Sequence, residues 1–249
     1  MKKPLIFVGS RQMIQSIRII ADLNDYEVIG ILDHHYWGNT DTLGGIPYIG
    51  DERSLLSKDN KQAQSWLKDC VFFPINWHSG IQSYQGELDL NLLRQERLRI
   101  LEESGAEVIN LIHPDVIGRG DLFHRYATTT LGKGILMQAS SFVAPDDSKI
   151  GDYCQIEAGS FVPHDITLGK NVLVAPKCYV GSGACLTIGD NTYIGAGTKW
   201  DFKLDSAEPL TVGENVTIWT NSLVRKSIPD NHFHTDGGRI FKKRVNNDH

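Results

Sequence analysis

A chain of 249 residues has room for one large domain or two modest ones, and its 41% hydrophobic against 22% charged residues supply a real core, which excludes a disordered protein. The 25 Lys and Arg against 30 Asp and Glu leave a formal charge of −5, and the only basic run is Lys242-Lys243-Arg244, so a nucleic-acid binder that works by neutralising phosphates is not expected. No apolar stretch approaches the roughly 20 residues that span a bilayer.

The first half alternates between strand and helix patterns. Leu5–Val8 reads as a strand, too short for the apolar region of a signal peptide, and is followed by a helix near Gln12–Asp22 and a strand Glu27–Leu32. A strand Cys70–Ile75, a helix Asn91–Ser104 stopped by Gly105, and a strand Glu107–Ile112 complete an α/β unit, expected as a small Rossmann-like parallel sheet over 1–112. The turn Gly9-Ser10-Arg11-Gln12 joins the first strand to the first helix, where N–H groups and the helix dipole can hold a phosphate. Asp33 ends the second strand, where a ribose or base would lie. A complete GxGxxG is absent, so dinucleotide binding is the weaker reading of the pattern and a plain α/β domain stays open. Asn76–Leu90, with Trp77, His78 and Tyr84, looks like an extra segment.

From Leu131 onward an apolar residue returns every six positions. The register runs Leu131, Met137, Val143, then, after one extra residue, Ile150, Ile156, Val162, Leu168, Val174 and Val180; after two more it resumes at Ile188 and Ile194, and after eighteen residues at Val212, Ile218 and Val224. Glycine often follows the apolar residue, and the fifth place is small or aliphatic, as at Cys154, Ser160, Val172, Cys178, Thr192 and Val216. Six residues make one short strand and a turn, with the first and fifth side chains inward. Three strands close a triangular coil, and stacked coils bury what a single coil cannot. Roughly five coils at about 4.8 Å give a prism on the order of 24 Å tall. Two breaks stand out, at Cys185-Leu186-Thr187 and over Trp200–Thr211.

This register resembles the left-handed parallel β-helix of the hexapeptide acyltransferases; the handedness comes from that resemblance. The order of the halves, running through Ile31-Leu32-Asp33, Leu43-Gly44-Gly45-Ile46-Pro47-Tyr48-Ile49-Gly50 and Ile112-His113-Pro114 into the repeats, is similar to the sialic-acid O-acetyltransferases and nucleotide-amino-sugar N-acetyltransferases. The sharpest match is Phe161-Val162-Pro163-His164-Asp165-Ile166-Thr167-Leu168-Gly169, followed by Val174-Ala175-Pro176 and by Ile228-Pro229-Asp230-Asn231 with Gly238. Two departures are visible: the glycine-rich turn is reduced to Gly9, and Leu173 stands where relatives often carry a second histidine.

The resemblance implies a substrate-binding domain at 1–112, an acyltransferase β-helix at 113–230 and a tail at 231–249. It implies acetyl-CoA as donor, a homotrimer with the donor between prisms, and acetylation of an amino sugar, nucleotide-linked, in surface polysaccharide or glycan precursor synthesis; the unpaired cysteines, with nothing that marks secretion, make a cytoplasmic protein the expectation. Acyl transfer needs a base to take the acceptor's proton, and histidine titrates in the right range. Between Leu131 and Ile228 the one histidine is His164. By resemblance it is the general base, Asp165 orients it, and an N–H near Gly181-Ser182-Gly183 meets the oxyanion. Arg225 and Lys226, with Arg239, Lys242 and Lys243, are candidates for the CoA phosphates; a solvated basic tail explains the last two equally well. Gly9, Ser10 and Asp33 are the substrate-side candidates.

The four cysteines form no CxxC pair and are expected as reduced thiols, Cys154 and Cys178 in the core. No metal is expected. A γ-class carbonic anhydrase needs three imidazoles where the coils have one, and neither His34-His35 nor His232-Phe233-His234 shows carboxylate or cysteine partners at convincing spacing. Sialic-acid-type O-acetylation and a non-catalytic sugar-nucleotide scaffold are the alternative functions.

Overall fold

In the computed structural model, which describes residues 1–10, 14–35, 41–75, 90–116, 128–144, 146–181, 185–201 and 209–243, strand β1 (Lys3–Val8) is central to the first of two units, Met1–His113. Leu5, Ile6, Phe7 and Val8 are all fully buried, as an unbroken apolar run in a parallel sheet covered on both faces should be. Helix α1 (Ile14–Leu23) buries Ile14, Ile17, Ile20 and Ala21 at helical spacing and leads into β2 (Tyr26–Leu32), parallel to β1. A hairpin of β3 (Thr42–Leu43) and β4 (Ile46–Gly50) follows, turning on Gly44 and Gly45 at φ 58° and 74°. Next come α2 (Lys61–Asp69), β5 (Val71–Pro74), α3 (Leu90–Glu103) and β6 (Leu111–Ile112).

The sheet order is β3-β4-β2-β1-β5, with all but β3 parallel. The hairpin and α2 went without assignment in the sequence reading. Helix α2 is mostly polar and buries only Ala63, so no apolar period marks it; its signal is the cap, where Asn60 Oδ1 accepts from the Ala63 N–H at 3.0 Å.

The second unit, Pro114–His249, is a parallel β-helix of two- and three-residue strands. One face pairs the strands ending at Leu131, Ile150, Leu168, Ile188 and Val212. The second pairs those of Met137, Ile156, Val174, Ile194 and Ile218, and continues to His234. The third stacks Val143 on Val162 and Trp200 on Val224, with Tyr179 bridging Phe161 to Lys199. First-place residues from Met137 to Val224 are 0–2% exposed, Trp200 being the exception at 7%. Trp200 holds the first place of its unit, so the repeat persists into the stretch read as a break; residues 202–208 lie outside the described ones.

The corners explain the composition. The fourth residue of a unit takes a left-handed conformation at Tyr153, Asn171, Asn191, Asn215 and Asn231 on one corner and at Ser140, Gly159, Lys177, Gly197 and Asn221 on the next. Gly132, Gly169 and Gly213 are needed for space: a Cβ on each would run into Asp152, Asp190 or Asp230 of the coil above. Those carboxylates accept from the N–H groups of Lys133, Lys170 and Glu214 at 2.9, 2.7 and 2.9 Å. Fifth-place hydroxyls stitch the coils from inside. Ser160 Oγ donates to Ala175 C=O at 2.9 Å and accepts from Cys178 N–H at 3.2 Å, and Thr192 Oγ1 does the same with Gly213 C=O and Val216 N–H at 3.0 and 3.2 Å.

The stretch read as a tail forms two more strands: His232–His234 parallel to the second face, and Ile240–Lys242 antiparallel to it. His234 is 2% exposed, and burial, then the charge of Lys226, pushes its imidazole below the ordinary value of 6.5. As pH falls the unfolded chain therefore takes up this proton first. The contribution is complete above about pH 6.5 and is lost below it, at no more than about 1.4 kcal/mol per pH unit. Urea midpoints measured from pH 7 to 5 are expected to fall more steeply for the wild type than for His234→Phe; parallel slopes would refute the assignment.

Candidate functional site

His164 is the third residue of the unit that starts at Val162, on the remaining corner of the prism. Its side chain is 53% exposed and Nδ1 lies 2.7 Å from Asp165 Oδ2. A carboxylate only accepts, so Nδ1 carries the proton and the lone pair is on Nε2. Asp165 is the fourth residue, with φ 59°, so the corner that makes the turn also supplies the orienting carboxylate. Every departure from the six-residue period between Val143 and Ile228 falls on this corner: the one extra residue before Ile150, the two before Ile188, the long stretch after Trp200 and the short link Val224 to Ile228. Insertions there leave the flanking strands in register.

The donor-side candidates are unequal. Gly181 donates its N–H to Tyr179 C=O at 3.2 Å; Ser182 and Gly183 lie outside the described residues. Arg225 and Lys226 occupy the second and third places of the same corner three coils above His164, about 14 Å along the axis. Lys226 is exposed, whereas Arg225 Nε holds Asp201 Oδ2 at 3.0 Å. Farther on, Lys243 sits over the Phe233 ring at 5.1 Å, and Arg239 and Lys242 are exposed. Leu173, 3% exposed, belongs to the second face.

The interior thiols are not nucleophiles. Cys154 and Cys178 are 0% and 1% exposed, and their sulfurs donate to Gly169 C=O at 3.0 Å and Gly195 C=O at 3.2 Å. Burial pushes Cys178 up to about 12, so it carries no thiolate near neutral pH. Cys185 is exposed.

In the first unit the C-terminal ends of the parallel strands gather a separate polar cluster, the place where open α/β sheets bind ligands. Asp33 is fully buried and does not present a free carboxylate: Oδ2 accepts from Ser10 Oγ at 2.7 Å, and Oδ1 accepts from Arg97 Nη2 at 2.7 Å and His35 N–H at 3.1 Å. Arg97 Nε also donates to Glu52 Oε1 at 3.0 Å, and the same oxygen holds His34 Nδ1 at 2.7 Å. Gly9, at φ 87°, is obligatory, since a Cβ would stand 2.7 Å from Arg97 Nη1 and 2.8 Å from Ile75 C=O. His34 thus has the carboxylate partner that its sequence neighbourhood does not show, because Glu52 lies 18 residues away. Single ligand atoms of His34, Asp51 and Glu52 lie within 4.8 Å of one another, but Arg53 and Arg97 already hold the two carboxylates. The carboxyl of Asp51 is lowered: burial works against the charged form and is outweighed by the hydrogen bonds from Arg53. Arg11, Gln12, Trp77, His78 and Tyr84 lie outside the described residues.

Residues 147–182 match the family model of the bacterial transferase hexapeptide, six repeats. The second unit is built on the hexapeptide repeat. No curated protein matches it. Among solved structures, the hexapeptide-repeat protein is similar to a point mutant of perosamine N-acetyltransferase from Caulobacter crescentus in complex with CoA and GDP-perosamine, at 19% identity, 96% of each chain and a TM-score of 0.73. It is similar to the acetyltransferase domain of PglB from Neisseria gonorrhoeae in complex with acetyl coenzyme A, at 20% identity, 94% of this chain, 97% of that one and a TM-score of 0.70. WeeI from Acinetobacter baumannii aligns at 18% identity over 95% and 99% of the chains with a TM-score of 0.66. At such identities the likeness is one of fold, and with the repeat and the parallel sheets it fits the left-handed β-helix that the sequence resemblance implies.

Proposed function

We propose that this hexapeptide-repeat protein is an acetyl-CoA-dependent acetyltransferase whose acceptor is the amine of a nucleotide-linked amino sugar. The observation that carries the reading is the exposed His164 imidazole with Nδ1 held by Asp165 at 2.7 Å, which leaves Nε2 as a base facing outward. The acceptor nitrogen attacks the thioester carbonyl and gives its proton to Nε2; collapse of the tetrahedral intermediate breaks the C–S bond, and the departing thiolate takes the proton back from the imidazolium. Asp165 keeps the ring in the required tautomer and stabilises its charge.

Acetyl-CoA as donor and a nucleotide sugar as acceptor are supported by what the similar structures hold, CoA with GDP-perosamine in one and acetyl coenzyme A in another. Lys226, on the same prism edge as His164, is the described cation placed to meet a donor phosphate. The first unit is the Rossmann-like acceptor domain in this reading, with the crevice around Gly9 and Ser10 as its site and Asp33 bracing Arg97. A homotrimer belongs to the reading through the family resemblance. No helix among the described residues is long and apolar enough to cross a membrane.

The test is free-thiol release from acetyl-CoA with GDP-perosamine and a panel of UDP-linked amino sugars. Turnover with at least one amine is expected, giving a product whose acetyl group survives mild base. A base-labile ester would move the reading to O-acetylation, and no turnover with any acceptor would replace it with the non-catalytic scaffold.

A further inference from the structure

The corner that carries His164 lacks a bond that the other two corners have. On those corners the fourth-place N–H donates to the third-place carbonyl of the coil below: Tyr153 to Lys133, Asn171 to Asp152, Asn191 to Lys170, Lys177 to Ala158, Gly197 to Pro176, Asn221 to Ala196, at 2.7–3.1 Å. The equivalent bond, from Asp165 N–H to Asp146 C=O, is absent among the described residues. Pro163 just before His164 has no N–H to offer to the coil above.

Among the described residues, one side chain ties this turn to the coil beneath. Ser148 is 1% exposed, and its Oγ donates to Pro163 C=O at 3.1 Å and accepts from Ile166 N–H at 3.1 Å, closing a bridge whose two feet flank His164 and Asp165. Its other acceptor, Asp146 C=O, is farther at 3.4 Å. From above, Leu186 N–H reaches Asp165 C=O at 3.3 Å. Ser160 makes the same two kinds of bond on the neighbouring corner, but that turn also keeps its backbone rung from Lys177 to Ala158. The hydroxyl is therefore redundant at Ser160 and not at Ser148.

We infer that Ser148 is a positioning residue for the reaction: from the prism interior its hydroxyl fixes the turn that holds the His164 ring and the Asp165 carboxylate in contact. The inference rests on the proposed base role of His164. Misplacing a reacting group by about 1 Å costs on the order of 100-fold, so loss of the bridge should lower kcat by about 10- to 100-fold with little change in KM.

The test compares Ser148→Ala, Ser148→Thr and Ser160→Ala in acetyl-CoA turnover with GDP-perosamine, and follows the NMR shifts of the His164 ring nitrogens, which report the tautomer and need no acceptor. Ser148→Ala should lose kcat, Ser148→Thr, which keeps the hydroxyl, should restore most of it, and Ser160→Ala should leave it within about twofold. In Ser148→Ala the neutral ring should show the mixture of tautomers that Asp165→Ala shows, since the carboxylate is no longer held against Nδ1. If Ser148→Ala keeps the wild-type ring-nitrogen shifts, or loses no more rate than Ser160→Ala while His164→Ala is inactive, the inference is overturned. If His164→Ala turns over normally, it is the base role that has failed.

Discussion

His164→Ala is expected to lower acetyl-CoA turnover by about 10²- to 10⁴-fold, the range that a positioned general base supplies. The urea midpoint should stay where it is. The side chain is 53% exposed and its described polar contact is with Asp165, so its removal leaves no cavity and no stranded buried group. The pair of measurements separates chemistry from folding. Asp165→Asn isolates the charge, because asparagine accepts the left-handed backbone that Asp165 adopts at φ 59°. It should cost less than His164→Ala, since the ring survives and only its orientation and the stability of the imidazolium suffer. Wild-type turnover in His164→Ala would remove the base from the mechanism.

Arg97→Ala is expected to be the most destabilising of the substitutions considered, by about 3–5 kcal/mol, because it leaves two carboxylates buried without their cation. Arg97 is 8% exposed on its side chain, and Asp33 and Glu52, its partners at 2.7 and 3.0 Å, are 1% and 0% exposed. The cost therefore comes from the charges left behind more than from the bonds lost. Replacing the whole cluster, with Arg97→Met, Asp33→Asn and Glu52→Gln together, should recover a large part of it, as buried ion pairs replaced as a set often do. Urea unfolding of the two variants decides; a loss under about 1 kcal/mol for Arg97→Ala would mean that water reaches the cluster and that Asp33 is not the brace described above.

The two halves were legible to different degrees for a physical reason. In the β-helix the chemistry repeats, so each first-place aliphatic and each fifth-place small residue is an independent report of the same geometry, and Ile150, Ile156 and Val162 are interior as their spacing requires. Trp200 escaped that reading because it is neither aliphatic nor followed by a unit of six, although its strand is in register with Val224. In the first unit β1 and β2 were readable from their apolar runs. The β3–β4 hairpin and α2 were not, since one turns on two glycines and the other exposes most of its surface.

The candidate residues divide in the same way. His164 and Asp165 are adjacent in the chain, so the sequence by itself determined the dyad, its place in the repeat and its solvent-facing corner. The polar cluster of the first unit joins Ser10, Asp33, Glu52 and Arg97 from four separate segments, and no local pattern announces that Asp33 spends its carboxylate on a guanidinium 64 positions away. The bridge of Ser148 across His164 is likewise a contact between successive coils, and only stacking brings that hydroxyl under the turn. Periodicity fixes which face of a strand is inward, because that follows from the local backbone. Which buried polar groups meet inside depends on how distant segments stack, and only the tertiary structure decided it.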